Sequence, residues 1–215
     1  MRGSRGSLCL TRPVVMVVPL VDEATVTGLA SRVLDQAPPR FALAGLSMGG
    51  IVAMEATRLA PERVTKLALL DTNPLADPPD KGQIREAQVN KVKNGGLKEV
   101  MSEEMKPNYL AAGPHVCEIL NLCMEMAEAI GPDGFADQSH AIQTRPDQSN
   151  TLRGFSVPSL VLCGAEDQLC PVTRHELMRD LIPGSHLVVI PGAGHLPTLE
   201  QPEQTTEALK EWLRR

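Results

Sequence analysis

Apolar residues recur along this chain in two rhythms. Short, largely apolar runs at Val14–Val18, Phe41–Leu46, Val64–Leu70, Val157–Gly164 and His186–Ile190 read as buried strands of a parallel sheet. Between them the spacing lengthens. Val26, Leu29, Ala30, Val33 and Leu34 fall at i, i+3, i+4, i+7 and i+8, which predicts an amphipathic helix. Asp22 is placed to cap it and Pro38-Pro39 to stop it. Ile51–Ala60, Val172–Leu181 and Pro202–Arg214 also read as helices, the last with proline in its first turn. Strand, helix and strand joined by short loops make right-handed parallel units. The fold class is therefore α/β, a mostly parallel sheet flanked by helices. From Leu75 to Leu152 the pattern changes. Helix-forming patches at Lys98–Lys106 and Val116–Ile130 lie between Pro-rich ends, with no convincing strand. The expected organisation is a core of residues 1–74 and 153–215 carrying a helical cap insertion, residues 75–152.

Composition narrows the function classes. With 215 residues, one domain plus an insertion is the natural size. A net charge of -5 argues against nucleic-acid binding, which needs clustered positive charge. No apolar run is long enough to span a bilayer. Pro13 and Pro19 interrupt the first apolar stretch and no small-residue cleavage site follows, so no signal peptide is expected. Cys9, Cys117, Cys123, Cys163 and Cys170 have neither paired nor metal-like spacing and read as free thiols of a reducing cytoplasm. Aromatic residues make up 2% of the chain against nine methionines, so an apolar pocket here is lined by Leu, Ile, Val and Met, an adaptable surface.

The chemistry concentrates where strands end. Phe41–Leu46 runs into Gly45-Leu46-Ser47-Met48-Gly49, a Gly-x-Ser-x-Gly turn that lifts a serine hydroxyl clear of the sheet edge. Gly45 and Gly49 are expected to prevent clashes across it. Ser47 would open the next helix, where the Met48 N–H is the donor expected to face a developing oxyanion. A serine nucleophile needs a base, and the base needs an orienting acid. His195 lies in Pro191-Gly192-Ala193-Gly194-His195-Leu196-Pro197, directly after an apolar strand. His115, His140, His175 and His186 read as surface or packing residues. Asp167 follows the strand that ends at Gly164, with Glu166 its neighbouring rival. Asp71 is a third candidate, but a capping or turn role ahead of Asn73-Pro74 is preferred for it. Leu46 and Met124 are the pocket candidates. Met101, Met105, Leu120 and Met126 share the same helical region, where packing explains most of them.

The order Ser47, Asp167, His195 and the three strand-end loops resemble the α/β-hydrolase superfamily, in its esterase-like branch with a helical cap. The matching segments are 43–50, 160–167 with Pro171, and 189–197. The resemblance implies Ser47 as nucleophile, Asp167 as acid, His195 as base and residues 75–152 as cap. It also implies cleavage of a small-molecule carboxylic ester, thioester, lactone or amide without cofactor or metal, and serine at the turn sets the chain apart from dehalogenase relatives that use aspartate. The departure is at the front. Relatives carry an earlier strand and a His-Gly loop that supplies a second oxyanion donor, whereas thirteen residues precede Val14 here and contain no His-Gly. Ser7-Leu8-Cys9-Leu10 is at most an antiparallel hairpin. Two expectations follow: an oxyanion hole with Met48 alone, and an exposed sheet edge that invites a homodimer. A shortened, non-catalytic relative that binds small ligands is the rival reading.

Overall fold

A computed structural model describes residues 14–215. Four strands, β1 (Phe41–Leu46), β2 (Val64–Leu70), β3 (Ser159–Gly164) and β4 (His186–Ile190), pair in parallel in the order β1-β2-β3-β4. Their register brings the carboxyl ends level, with Leu46 opposite Leu70, Leu70 opposite Leu162 and Gly164 opposite Ile190. The ladder continues one residue beyond three of the strands: the N–H groups of Ser47, Asp71 and Ala165 donate to Leu70, Leu162 and Ile190, each at 2.9 Å. Loops leaving this end therefore start from one rigid line.

Helices cover both faces of the sheet. On one face, α1 (Val26–Gln36), α2 (Met48–Leu59) and α7 (Val172–Leu181) bury Leu67, Leu69 and Val161 against Leu29, Met54 and Met178. On the other, Trp212 of α9 (Pro202–Arg214) covers Ala68, Leu160, Leu162 and Ile190. The α1 stripe is as the spacing predicts, since Val26, Leu29, Ala30 and Val33 are buried. Its cap is Thr25, whose hydroxyl accepts the Gly28 N–H at 3.0 Å, not Asp22, which pairs with Arg32.

Val14–Val18 is not a strand. Val14, Val15 and Val17 are at least 79% exposed, and only Val18 and Leu20 touch the core. The Gln138 amide donates to the Leu20 carbonyl at 2.9 Å, tying this segment to a helix rather than to a sheet. β-Branched composition favours a strand only where a neighbouring strand offers a ladder, and among the described residues β1 is an edge strand paired only with β2. Residues 7–10, the hairpin candidate, and Cys9 lie outside the described residues.

Between β2 and β3 the described chain is helical: α3 (Pro79–Lys91), a turn with left-handed Gly95, α4 (Leu97–Glu99), wide turns at Val100–Met105, and α5 (Val116–Gln143), bent at Gly131-Pro132. These pieces share a core of Val92, Leu97, Val100 and Met101. A short helix, α6 (Ser149–Arg153), returns to the main core: Leu152 is fully buried there, and Gln148 just before it bonds Glu55 of α2 at 2.7 Å. No helix of the described residues is long and apolar enough to cross a membrane.

Candidate active site

Ser47 follows β1 with φ 52° and ψ -116°, a backbone conformation that is costly for any side chain. The turn is close enough that a Cβ on Gly45 would run into the Gly49 carbonyl. The reading of the second glycine needs correction, because a Cβ on Gly49 would meet nothing within 4 Å. Gly50 carries the remaining constraint: its missing Cβ leaves room for the Thr72 side chain, whose atoms would otherwise sit 2.6 Å away. Thr72 in turn donates its hydroxyl to the Ser47 carbonyl at 2.7 Å. Met48 is the first residue of α2, where a backbone N–H has no partner within the helix.

His195 Nε2 lies 2.8 Å from Ser47 Oγ, and its Nδ1 lies 2.9 Å from Asp167 Oδ2. The other carboxylate oxygen of Asp167 accepts the N–H groups of Leu169 and Cys170 at 2.8 and 3.0 Å. Burial alone would raise the Asp167 pKa. The hydrogen bond and charge of His195, with the two N–H donors, outweigh it and hold the group below its ordinary range. Its sequence rival Glu166 is exposed. The three side chains are thus brought together from three strand ends. His115, His140 and His186 are held elsewhere on the surface, His115 against Glu118.

Several residues that sequence reasoning passed over hold this arrangement. Glu200, in the short helix α8 (Pro197–Glu200), accepts three backbone N–H groups: Gly194 at 2.9 Å, Leu196 at 3.0 Å and Ala111 at 2.8 Å. The His195 N–H donates to the Tyr109 carbonyl at 2.6 Å. The histidine loop is therefore stitched to the segment at 109–111. Gly194 permits that approach, since a Cβ there would lie 2.7 Å from the Tyr109 carbonyl. His175 is wholly buried; its Nε2 accepts the Thr72 N–H at 3.1 Å, and burial pushes its pKa down to about 4. It is a neutral brace between α7 and the end of β2.

Asp71 does not make the turn expected of it. Asn73 does, accepting the Leu75 N–H at 3.0 Å, while the Asp71 side chain is buried against β3. The signal was available, because Asp71 directly follows an apolar strand, as Ser47 does.

Above Ser47 lies a cavity of about 630 Å³ whose walls include Leu46, His195, Met101, Met105, Tyr109 and Met126. Leu46 is placed as expected. Met124 is not on the wall; it packs among the helices with Val92, Leu97 and Val100. Its neighbour Cys123 and, three residues on, Ala127 take the wall positions. Among the described residues, no Asp, Glu, Lys or Arg lines this cavity. A larger groove, about 770 Å³ between the start of α5 and the α8–α9 junction, includes neither Ser47 nor His195. The four described cysteines are free thiols. Among the described residues, Asp167, Cys170 and His195 bring potential metal-ligand atoms within 4.8 Å of one another. The histidine and carboxylate already bond each other, and burial pushes the Cys170 thiol up to about 12, so this is a poor ligand set.

Comparison with known proteins agrees with this fold. Residues 6–208 match the profile of the Alpha/beta hydrolase family. A pimeloyl-[acyl-carrier protein] methyl ester esterase of Legionella pneumophila (strain Corby) is 30% identical over 195 residues, 84% of this chain and 74% of the relative. A 3-oxoadipate enol-lactonase 2 of Acinetobacter baylyi is 25% identical over 181 residues, 82% of this chain and 65% of the relative. Among solved structures, a thermophilic esterase from Thermogutta terrifontis superposes with a TM-score of 0.82 at 34% identity, covering 90% of this chain and 74% of that one. With this fold and these relatives, the chain is a hydrolase belonging to the alpha/beta hydrolase family.

Proposed function

We propose that the protein is a serine esterase that cleaves neutral carboxylic esters of small acyl groups through an acyl-enzyme. The observation that carries this reading is the unbroken hydrogen-bonded line from Ser47 Oγ through His195 to Asp167. His195 Nε2 takes the Ser47 proton as Oγ attacks the ester carbonyl carbon. Negative charge collects on the carbonyl oxygen, which the Met48 N–H at the start of α2 is placed to receive. Asp167 stabilises the imidazolium, which then gives its proton to the departing alcohol oxygen. Water, deprotonated by the same nitrogen, repeats the attack and releases the acid and Ser47. No redox step or cofactor is needed.

Residues 75–152 act as the cap that supplies the acyl pocket. A wall without formal charge disfavours an acyl group bearing a free carboxylate, because that charge would be desolvated unpaired. The esterases among the relatives support the ester reading, and the enol-lactonase extends the same chemistry to a cyclic ester.

The test is fluorophosphonate labelling with intact-mass detection, alongside hydrolysis of p-nitrophenyl acetate and butyrate. Ser47→Ala is expected to lose the label and about 10⁴-fold or more in kcat. p-Nitrophenyl butyrate should outpace the equally long half-ester of succinate. A well-folded wild type that takes no label would overturn the reading in favour of a small-ligand binder.

A further inference from the structure

The end of β2 carries a carboxyl group that the reaction above does not use. Asp71 is wholly buried and sits with φ 42°. It is one of three non-glycine residues in the left-handed region among the described residues, and Ser47 is another. Such strain is retained where the surroundings demand a particular direction of a side chain. Here it sends the carboxyl toward β3, where Oδ1 accepts the Gly164 N–H at 2.8 Å. Oδ2 is buried and receives no donor from the described residues. For a carboxylate that is costly, because a charged acceptor removed from water needs donors or a cation. The titratable groups acting on it are Asp167 and Glu200, both acidic, and it acts on the thiols of Cys163 and Cys170. No cation is among them.

The orphan oxygen has one sensible role. Asp71 and Asp167 meet around Gly164, whose N–H donates to Asp71 Oδ1 at 2.8 Å and whose carbonyl accepts the Asp167 N–H at 3.4 Å, and a proton on Oδ2 turns two repelling acceptors into a donor and an acceptor. We propose that Asp71 is a neutral carboxylic acid whose Oδ2–H donates to the Asp167 carboxylate, making it a positioning residue for the acid that orients His195. The proposal rests on the Ser47–His195–Asp167 reading above. Burial, the dominant influence, and the negative charge of Asp167 agree with it: they outweigh the Gly164 N–H and push the group up to about 9. The arrangement explains how Asp167 stays ionised beside a second acid. The pair holds one proton, on the member with fewer donors, as close carboxyl pairs do. It also links the elbow to the acid, because the next residue, Thr72, bonds the Ser47 carbonyl and the His175 ring.

The experiment compares Asp71→Ala with Asp71→Asn. The alanine variant strips the donor and is expected to lower kcat about tenfold while KM changes little. The asparagine amide can donate to Asp167 and accept from Gly164, so it should restore most of that loss. A neutral group replacing a neutral group must also leave the acidic limb of the kcat/KM profile where it is in the wild type. If Asp71 were ionised, the asparagine variant would remove a negative charge beside the His195–Asp167 pair and move that limb to lower pH. That shift, or failure of asparagine to rescue alanine, overturns the proposal. A second readout needs no turnover: the wild-type minus Asp71→Asn infrared difference at neutral pH should show a protonated-carboxyl C=O stretch, and its absence overturns the proposal equally. Loss of all Ser47-dependent turnover in the wild type would sink the esterase reading on its own, while the infrared band still decides the protonation of Asp71.

Discussion

The floor and the roof of the cavity above Ser47 are built by different physics. The floor consists of the loops leaving β1 to β4, where short directional bonds hold nearly every group: Thr72 to Ser47, Glu200 to three backbone amides, Asp167 to two amides and His195. The roof, formed by residues of the α4–α5 region, presents Met101, Met105, Met126, Ala127 and Ile130, which carry no hydrogen-bonding obligation. Hydrogen-bonded geometry is lost when one partner moves by a fraction of an ångström. Thioether and alkyl walls repack, since dispersion contacts are many and individually weak. On the proposed function, chemistry that must be repeated identically would therefore sit on the floor, and the choice of acyl group in the roof.

The sharpest way to break this contrast is at the turn itself. Gly45→Ala drives a Cβ into the Gly49 carbonyl and should cost about 3 kcal/mol or more in stability, together with most of the activity. Gly49→Ala, only four residues on, meets open space and should remain within about 1 kcal/mol of the wild type. Urea unfolding of the two variants checks both. Equal damage from the two would mean that backbone approach is not what constrains the elbow.

Acid unfolding tests the floor more gently. The folded His175 titrates near 4 rather than at its ordinary 6.5. As pH falls through 6.5, the unfolded chain takes up a proton that the folded chain refuses. The stability this group contributes is therefore complete above pH 6.5 and drains away down to about pH 4. A shift of this size corresponds to about 3 kcal/mol. His175→Gln, which can still accept the Thr72 N–H, should show a visibly shallower decline in unfolding free energy across that window. An unchanged decline would place the acid sensitivity elsewhere.

The smallest effect belongs to the roof. Met126 is 56% exposed and lies on the cavity wall. Met126→Ala should shift the preference between p-nitrophenyl acetate and longer acyl esters by about threefold, leaving stability within about 0.5 kcal/mol. A large loss on every substrate would show that the roof is as precisely built as the floor.

Much of the floor was legible in the order of residues because strand, turn and helix follow one another locally. The runs that became β1 to β4, the Gly-x-Ser-x-Gly turn and the loops holding Asp167 and His195 lie where the hydrophobic pattern put them. Val14–Val18 was misread because a run of β-branched residues announces only a willingness to pair. Met124 was misread because on a bent helix such as α5, sequence spacing cannot say which side faces the cavity and which faces Val92 and Val100. Sequence spacing makes Asp71 a turn residue and says nothing of Glu200, for a related reason. Their importance lies in what approaches them, Gly164 in one case and Ala111, Gly194 and Leu196 in the other, and those neighbours lie as far as 93 residues away.

By itself, then, the sequence determined the class of fold, the serine turn and the two loops that face it, since each depends on contacts within a few residues of chain. Only the tertiary structure decided that Ser47, His195 and Asp167 lie within 3 Å of one another in series. It alone decided that Gly50 rather than Gly49 makes room at the elbow, and that a strained aspartate lies beside the acid. These features depend on distances across the sheet, set by strand register and helix packing, which no local pattern encodes.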